Sequence, residues 1–164
     1  MNIEIERKFL VNKSDNFKED AVKKIHIVQG YLNLVGGSLT RIRIEDNKIS
    51  TINFKEFTKS ISRMEHEAII PIINARNLLK LCGDIIIEKT RWLYEFEGFL
   101  WEIDEFHGKN DGLIIAEIEI DSKEQVFSIP EWIGKEVSYD KNFYNINLAR
   151  TQSNYKFKVA RNIL

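Results

Sequence analysis

The sequence predicts a mainly β (α+β) protein, in which a closed eight-stranded antiparallel β-barrel forms a tunnel with helices packed on its outside. Two observations predict this class. Apolar and polar residues alternate with a period of two through most of the chain, and turn residues such as Gly36-Gly37 and Asp46-Asn47 separate the alternating segments. Strands joined by short turns form antiparallel sheets, and about eight of them favour closure into a barrel.

The alternation predicts eight strands. In chain order they are residues 2–11, 27–35, 38–46, 49–57, 63–71, 84–96, 99–106 and 113–121. Helices are expected where a capping residue precedes a suitable segment. The candidates are Ser14 before 15–25, Asn74 before 75–82, Ser122 with Gln125 three residues later, and Asp140 before 141–150.

The composition indicates one globular domain over residues 1–164, with 43% hydrophobic and 30% charged residues. The net charge of −1 argues against a nucleic-acid partner. The N-terminus has no basic-then-apolar leader and no apolar run is long enough to span a membrane, so we expect no membrane partner. The single cysteine, Cys82, allows no disulfide within the chain, and we expect a cytoplasmic protein. Monomer and homodimer both stay open.

Charged side chains occupy one face of most predicted strands, because residues two apart in a strand point to the same side. The cations in this pattern are Lys8, Arg41, Arg43, Lys55, Arg63, Lys89 and Arg91. The carboxylates are Glu4, Glu6, Glu65, Glu67, Asp104, Glu117 and Glu119. A single strand of this kind usually has a solvated face. Here seven predicted strands carry charged residues on one face. This density predicts instead that the polar faces line a tunnel, where each ion has a partner.

The two sets of charges indicate the chemistry of the tunnel. Cations at this density need an anion among them, and arginine and lysine suit phosphate oxygens. Clustered carboxylates without histidine or cysteine suit Mg²⁺ or Mn²⁺. Together they predict a divalent-metal-dependent hydrolase of a linear polyphosphate, which acts by attack of a metal-activated water.

The run Glu4-Ile5-Glu6-Arg7-Lys8 resembles the ExExK signature of the CYTH superfamily, the triphosphate tunnel metalloenzymes. Further similar segments follow in family order. They are QGYL at 29–32, the RxR at 41–43, SRMEHE at 62–67, the KxR at 89–91, WEIDEF at 101–106, AEIEI at 116–120 and PEWIGKEVS at 130–138. The resemblance is strongest over residues 1–150. One segment departs from the family: Asn53-Phe54-Lys55-Glu56 stands where the family often has Thr-Ile-Lys-Gly, although the lysine is kept.

The resemblance implies an eight-stranded tunnel that binds triphosphate with divalent metal. By position, it implies that Glu4, Glu6 and Glu119 bind a first metal. It implies that Asp104 and Glu117, with Glu119, hold a second metal that orients the attacking water. The implied phosphate cradle comprises Lys8, Arg41, Arg43, Lys55, Lys89 and Arg91. Arg63, also counted among the substrate-binding cations, lies with Glu65 and Glu67 on a supporting charged strand.

Tyr31 lies on the polar face of its predicted strand and is expected to donate a hydrogen bond that orients Lys8. Lys8, Tyr31 and Glu117 are therefore the candidate catalytic residues. Arg7 has the outward parity, and we expect it to matter least for chemistry.

Inorganic tripolyphosphate is the favoured substrate, whereas thiamine triphosphate and nucleoside triphosphates stay open. Class IV adenylyl cyclases usually carry signature residues before ExExK, and Met1-Asn2-Ile3 leaves no room for them. A non-catalytic polyphosphate-binding module is a further alternative, although all the metal-type carboxylates are present. A lipocalin-like carrier is disfavoured because it needs an apolar lumen.

Overall fold

The computed structural model describes residues 5–12, 16–33, 39–55 and 65–150. At Asn16, Asn33, Lys55 and Glu65 it describes the backbone only. Two residues of the predicted site, Glu4 and Arg63, lie outside the described residues. Within the described ranges, no helix has the length and apolar character needed to cross a membrane.

The strands lie close to where the alternation predicts them. They are β1 (Ile5–Val11), β2 (Lys23–Asn33), β3 (Leu39–Glu45), β4 (Ile49–Lys55), β5 (Glu65–Ile69), β6 (Ile86–Phe96), β7 (Phe99–Phe106), β8 (Ile114–Ile120) and β9 (Ile133–Glu136). The pairings between them are antiparallel, as predicted. The described residues thus contain nine strands rather than eight. The sequence did not predict β9 because four residues are too few to show alternation. Closure of the sheet into a barrel stays a prediction.

The helices differ more from their predictions. They are α1 (Asn16–Glu19), α2 (Ile72–Leu81) and α3 (Asn145–Arg150), with 3₁₀ turns at Gly108–Asn110 and Lys141–Phe143. The helix expected over 15–25 is wrong beyond Glu19, because the chain already joins strand β2 at Lys23. Helix α2 begins three residues before the predicted start, because Pro71 with its fixed φ precedes the first turn and accepts the N–H groups of Asn74 and Ala75.

The remaining capping predictions are half right. Asp140 does cap, since its Oδ1 accepts the Asn142 N–H at 3.0 Å, but the turn that it starts is 3₁₀ and α3 begins only at Asn145. No helix follows Ser122. Instead the Gln125 side chain accepts the Asp121 N–H at 2.6 Å, and the chain leaves the turn in irregular structure. At both positions a side chain accepts a backbone N–H, but no α-helix follows directly, because a capping contact alone does not supply the packing that stabilises a helix.

The chain divides into two compact units. Among the described residues, the first comprises 5–25 and 89–144, and the second comprises 26–88 and 145–150. Strands β2 and β6 contribute residues to both units.

In the first unit, neighbouring strands follow the order β6-β7-β8-β1-β9. One face of this sheet carries an aromatic core in which Phe9 and Trp101 lie 5.7 Å apart by ring centroid, and Trp101 and Trp132 lie 6.4 Å apart. Phe17 of α1 and Ile103 are fully buried in the same cluster. Because strand side chains alternate, the residues between these apolar positions point to the opposite face of the sheet.

In the second unit, the strand order is β5-β4-β3-β2. Helix α2 packs on the apolar face of this sheet, where Ile42 and Ile44 contact Ala75 and Leu79 in one buried cluster. Gly30 of β2 allows the close approach, because a Cβ there would lie 2.7 Å from Cys82 Sγ and 2.8 Å from Leu79 Cδ2. The polar face of the same strands carries the predicted site residues of this unit.

Candidate active site

Four neighbouring strands of the first unit place charged side chains in one row. The register sets Arg91 of β6 opposite Asp104 of β7, and Glu117 of β8 opposite Lys8 of β1. Glu102 of β7 faces Glu117 across the adjacent ladder. The row lies on the face opposite the aromatic core, as parity predicts.

Asp104 is the most enclosed of these groups, with no exposed surface. It accepts hydrogen bonds from Arg91 Nε and Nη2, both at 2.7 Å, and from the fully buried Lys89 ammonium. Burial alone would raise the pKa of Asp104, but the Lys89 and Arg91 charges and their hydrogen bonds hold that pKa well below its usual value. Burial also disfavours the charged form of Arg91 and alone would lower its pKa, but Asp104, Glu102 and Glu117 raise the pKa of this guanidinium above its usual value. Asp104 and Arg91 are therefore ionised together.

Lys8 forms a second group of ion pairs beside that of Asp104. Its ammonium donates to Glu117 at 2.5 Å and to Glu6, and Glu117 also accepts from Arg91 Nη2 at 3.1 Å. Burial alone would lower the pKa of Lys8, but the carboxylates of Glu117 and Glu6 hold it above its usual value. Lys8 is thus a cation shared by two carboxyl groups.

The two carboxyl groups beside Lys8 have opposite tendencies. Burial raises the pKa of Glu117, and the charges of Asp104 and Glu6 raise it further against the opposing effect of Lys8. Burial alone would also raise the pKa of Glu6. Its hydrogen bond with Glu117 and the charge of Lys8 outweigh burial and hold the pKa of Glu6 below its usual value. Paired carboxyl groups whose pKa values are driven apart can divide acid and base roles.

A cavity of about 350 Å³ opens beside Glu6 and Glu117 in the first unit. Its lining includes the further carboxylates Glu102, Glu119 and Asp121, together with Phe99 and Gln125. Oxygen donors of this kind suit a hard divalent cation, so the residues present fit Mg²⁺ or Mn²⁺ by chemistry. Within the part of the chain that the structure describes, however, no three histidine, cysteine or acidic side chains converge closely enough to form a metal site.

The formal charges of this cluster nearly cancel. Three cations face four carboxyl groups: Lys8, Lys89 and Arg91 against Glu6, Glu102, Asp104 and Glu117. Buried cations in this arrangement need an anion, which the carboxylates now supply. A phosphate chain could replace the carboxylates as the anion beside these cations. A metal cation would then have to neutralise the displaced carboxylates.

The second unit holds a separate polar group on β2 and β3. Gln29 is fully buried and accepts from Arg43 Nε at 3.2 Å and from Nη2 at 3.1 Å. Its amide donates to the Tyr31 hydroxyl at 2.8 Å. Gln29 therefore fixes both Arg43 and Tyr31, whereas the expected contact between Tyr31 and Lys8 stays a prediction.

Strands β3, β4 and β5 align Arg41, Asn53 and Glu67 in one row. Glu67 accepts from Arg41 Nη2 and from Asn53 Nδ2, each at 3.3 Å. The buried Arg41 Nε has no hydrogen-bond partner among the described residues. This arginine thus keeps donor capacity that Glu67 does not use.

The strand alternation also places residues on the polar faces that are not among the candidate site residues. Glu102 lies two residues before Asp104 and Asp121 two residues after Glu119, so parity places both on the charged faces of their strands, and both line the cavity although neither is a candidate residue. Gln29 lies two residues before Tyr31 and so shares its polar face, but nothing in the sequence indicates that it links Tyr31 and Arg43. Nothing further is described for Glu4, Arg63 or the side chains of Lys55 and Glu65.

Comparison with known proteins adds four findings. The family model for the CYTH domain matches residues 2–150. An inorganic triphosphatase from Acetivibrio thermocellus is 42% identical over 151 residues, which cover 92% of this chain and 95% of that protein. An inorganic triphosphatase from Nitrosomonas europaea is 32% identical over 149 residues, with coverage of 89% and 96%. Among solved structures, the crystal structure of the inorganic triphosphatase NE1496 matches with a TM-score of 0.72 and 30% identity, over 93% of this chain and 98% of that one.

Proposed function

Because this chain belongs to the CYTH domain family, we propose that it is a divalent-metal-dependent hydrolase of linear triphosphates, with inorganic tripolyphosphate as its preferred substrate. The two curated relatives named inorganic triphosphatase support this proposal, since they share 42% and 32% of aligned residues over most of the chain. The triphosphatase hypothesis from the sequence agrees with them. We further propose that residues 1–164 act as a single domain in the cytoplasm.

One observation carries the proposal, namely the buried row of acids and bases in the first unit. Arg91 has an 8% exposed surface and Lys89 none, and carboxylates satisfy both. Such a cluster is a poor way to gain stability, because desolvation of the ions offsets their attraction. Its chemistry suits a ligand that carries both signs of charge, and a metal triphosphate is such a ligand.

The metal is proposed from the donor set and the family. Glu6 and Glu119, with Glu4 from the sequence, would hold a first Mg²⁺ or Mn²⁺, and Asp104 and Glu117, with Glu119, would hold a second. When bound, the cation supplies Lewis-acid polarisation of the phosphoryl group and neutralises charge that develops there.

The chain's own groups would perform the other tasks. Lys8 and Arg91 are proposed to bind phosphoryl oxygens once a cation replaces them at Glu6 and Glu117. Lys89 would keep Asp104 ionised and oriented. Glu117, a catalytic candidate from the sequence, is proposed to accept a proton from the attacking water. Arg41, Arg43, Lys55 and Arg63 are proposed as further phosphate contacts, and for Arg41 the unused Nε donor supports this.

A phosphate-release screen tests the proposal. Tripolyphosphate, thiamine triphosphate, ATP and pyrophosphate are each supplied with Mg²⁺, Mn²⁺ or chelator. Release from tripolyphosphate should exceed the others and should vanish with chelator. Faster release from thiamine triphosphate or ATP would assign those substrates instead, and binding of tripolyphosphate without release in both metals would leave a binding module.

Variants identify the site in the same screen. Glu6→Gln and Glu117→Gln should each lower metal-dependent release by at least about 100-fold, since each removes a proposed ligand. Glu105→Gln is the matched control, because this glutamate lies on β7 but pairs with Lys18 at 2.8 Å on the other face. Equal losses in all three variants would remove the site assignment.

A further inference from the structure

Lys8 is held by its backbone as well as by its ammonium. Its carbonyl oxygen accepts the Val137 N–H at 2.8 Å, in line with the pairing of β1 and β9. Its N–H donates to the Ser138 hydroxyl at 3.0 Å. A side chain beyond the end of β9 therefore completes the ladder at this residue.

Ser138 is itself held in place. Its hydroxyl donates to Glu136 Oε1 at 2.6 Å, so the same oxygen accepts from Lys8 and donates to Glu136. Arg7 Nε and Nη2 donate to the two oxygens of Glu136 at 2.9 and 2.6 Å. Because Arg7 and Lys8 are consecutive residues, these contacts close a ring, which we call the Arg7–Glu136–Ser138 clamp.

Two aromatic rings fix the position of Arg7. Its guanidinium carbon lies 5.4 Å from the centroid of the Phe9 ring and 5.0 Å from that of Phe127. Phe9 is buried in the aromatic core, so the clamp contacts the packed face of the sheet. A bidentate arginine–carboxylate pair also has a defined geometry that a lysine pair lacks.

We propose that Arg7, Glu136 and Ser138 are positioning residues, which fix the backbone of Lys8 and so the point from which its ammonium reaches Glu6 and Glu117 here and the phosphate during turnover. The inference rests on the proposed function for the role of Lys8 in turnover. It also changes the prediction for Arg7, which has the outward parity and was expected to matter least. Arg7 does not touch the substrate, and it acts through Glu136 and Ser138 on the residue that does.

The competing explanation is that the clamp only fastens β9 to β1. A matched control separates the two. A Cβ at Gly134 would lie 2.8 Å from Asn12 Oδ1 and 3.0 Å from the Leu10 carbonyl oxygen, so Gly134→Ala strains the same strand pair at the end away from Lys8. A fastening role predicts that Ser138→Ala and Gly134→Ala lose activity in proportion to stability.

The experiment measures steady-state hydrolysis of tripolyphosphate with Mg²⁺ and the melting temperature for Ser138→Ala, Ser138→Thr and Gly134→Ala. We expect Ser138→Ala to lower kcat about tenfold with KM within about twofold, because a displaced group weakens transition-state contacts. Ser138→Thr keeps the hydroxyl and should retain at least about half of kcat. Gly134→Ala should lower the melting temperature and leave kcat unchanged. An unchanged kcat in Ser138→Ala, or an equal loss in Gly134→Ala, overturns the proposal.

A second measurement does not depend on turnover. The ε-methylene signal of Lys8 is followed in protein labelled with ¹³C-lysine, and Lys8→Arg assigns it. The signal should move in Ser138→Ala and in Arg7→Gln but stay in place in Gly134→Ala. If the signal moves but the wild type releases no phosphate, the positioning holds and the proposed function fails. If the wild type hydrolyses tripolyphosphate and the signal does not move, the positioning fails alone.

Discussion

Asp104 is a carboxylate with no exposed surface, and its ionised state depends on Lys89 and Arg91. Removing one member of a buried ion group leaves the others without compensation, which costs more than the group contributes as a whole. The contribution of Asp104 to stability therefore depends on the presence of all three ions, Asp104, Lys89 and Arg91, more than on the strength of any one contact.

Asp104→Asn should lower the free energy of unfolding by about 3–5 kcal/mol, because it leaves two buried cations with reduced compensation. Urea unfolding at pH 7 measures this change. Glu105→Gln on the same strand removes a partly exposed pair and should cost no more than about 1 kcal/mol. Similar losses in the two variants would contradict the account of Asp104.

Glu136 gives a residue-scale prediction for pH. The Arg7 hydrogen bonds, opposed by burial and helped by Ser138, hold the pKa of Glu136 below its usual 4.5. A carboxyl group with a lowered folded-state pKa stabilises the protein above about pH 4.5 and loses that contribution as the pH falls through the folded value. Glu136→Gln should therefore destabilise the protein at pH 7 by up to about 1 kcal/mol, and the difference should shrink below pH 4.5.

Urea unfolding of both proteins at pH 7 and at pH 3.5 measures the effect. The modest magnitude follows from the exposure of the side chains, which is 31% for Arg7 and 34% for Glu136. Arg7→Gln removes the same pair and should show the same pH dependence, and the double variant should lose little more than either single one. A difference that grows toward low pH would reverse the assigned sign.

At the scale of elements, α2 packs closely against the β-sheet of the second unit. Gly30 of β2 is the point of contact, with Cys82 and Leu79 as its neighbours. Gly30→Ala should lower the free energy of unfolding by about 1–3 kcal/mol, because overpacking forces backbone or rotamer shifts. Thermal unfolding measures the loss.

Cys82→Ala provides the partner variant for Gly30→Ala. It removes the sulfur that lies nearest the new methyl group, so the double variant should recover part of the loss. If the two substitutions are strictly additive, the contact between Gly30 and Cys82 is not the cause.

The elements also show what a sequence can and cannot predict. Strand positions and faces followed from alternation, because parity is local and Glu102, Asp104, Glu117 and Glu119 keep it strictly. Helix starts were less predictable: Asn74 and Ser122 are residue types that often cap helices, but α2 begins after Pro71 and no helix follows Ser122, because tertiary context overrides local preference. The contacts of Arg7 with Glu136 join residues 129 positions apart, and no local pattern indicates such a pairing.

At the scale of the whole molecule, the metal and the triphosphate should bind together. Ligands that bind only the folded protein stabilise it, by about 2.7 kcal/mol at one hundred times the dissociation constant. Mg²⁺ with a slowly hydrolysed triphosphate analogue should therefore raise the melting temperature more than the sum of the two separate shifts. Chelator should abolish the increase. Lys8→Gln should lose it and Lys18→Gln should keep it, and purely additive shifts in the wild type would contradict coupled binding.

The distribution of tryptophan has a consequence for spectroscopy. All three tryptophans, Trp92, Trp101 and Trp132, lie in the first unit, so tryptophan fluorescence, excited selectively, reports on that unit and not on the second. The second unit contains the single thiol of the chain, Cys82, which is buried and whose pKa burial raises, so labelling reagents reach it only when that unit opens. The chain therefore carries two natural reporters, one optical and one chemical. Coincident denaturant midpoints for the two signals would identify one cooperative folding unit, and separate midpoints would identify two.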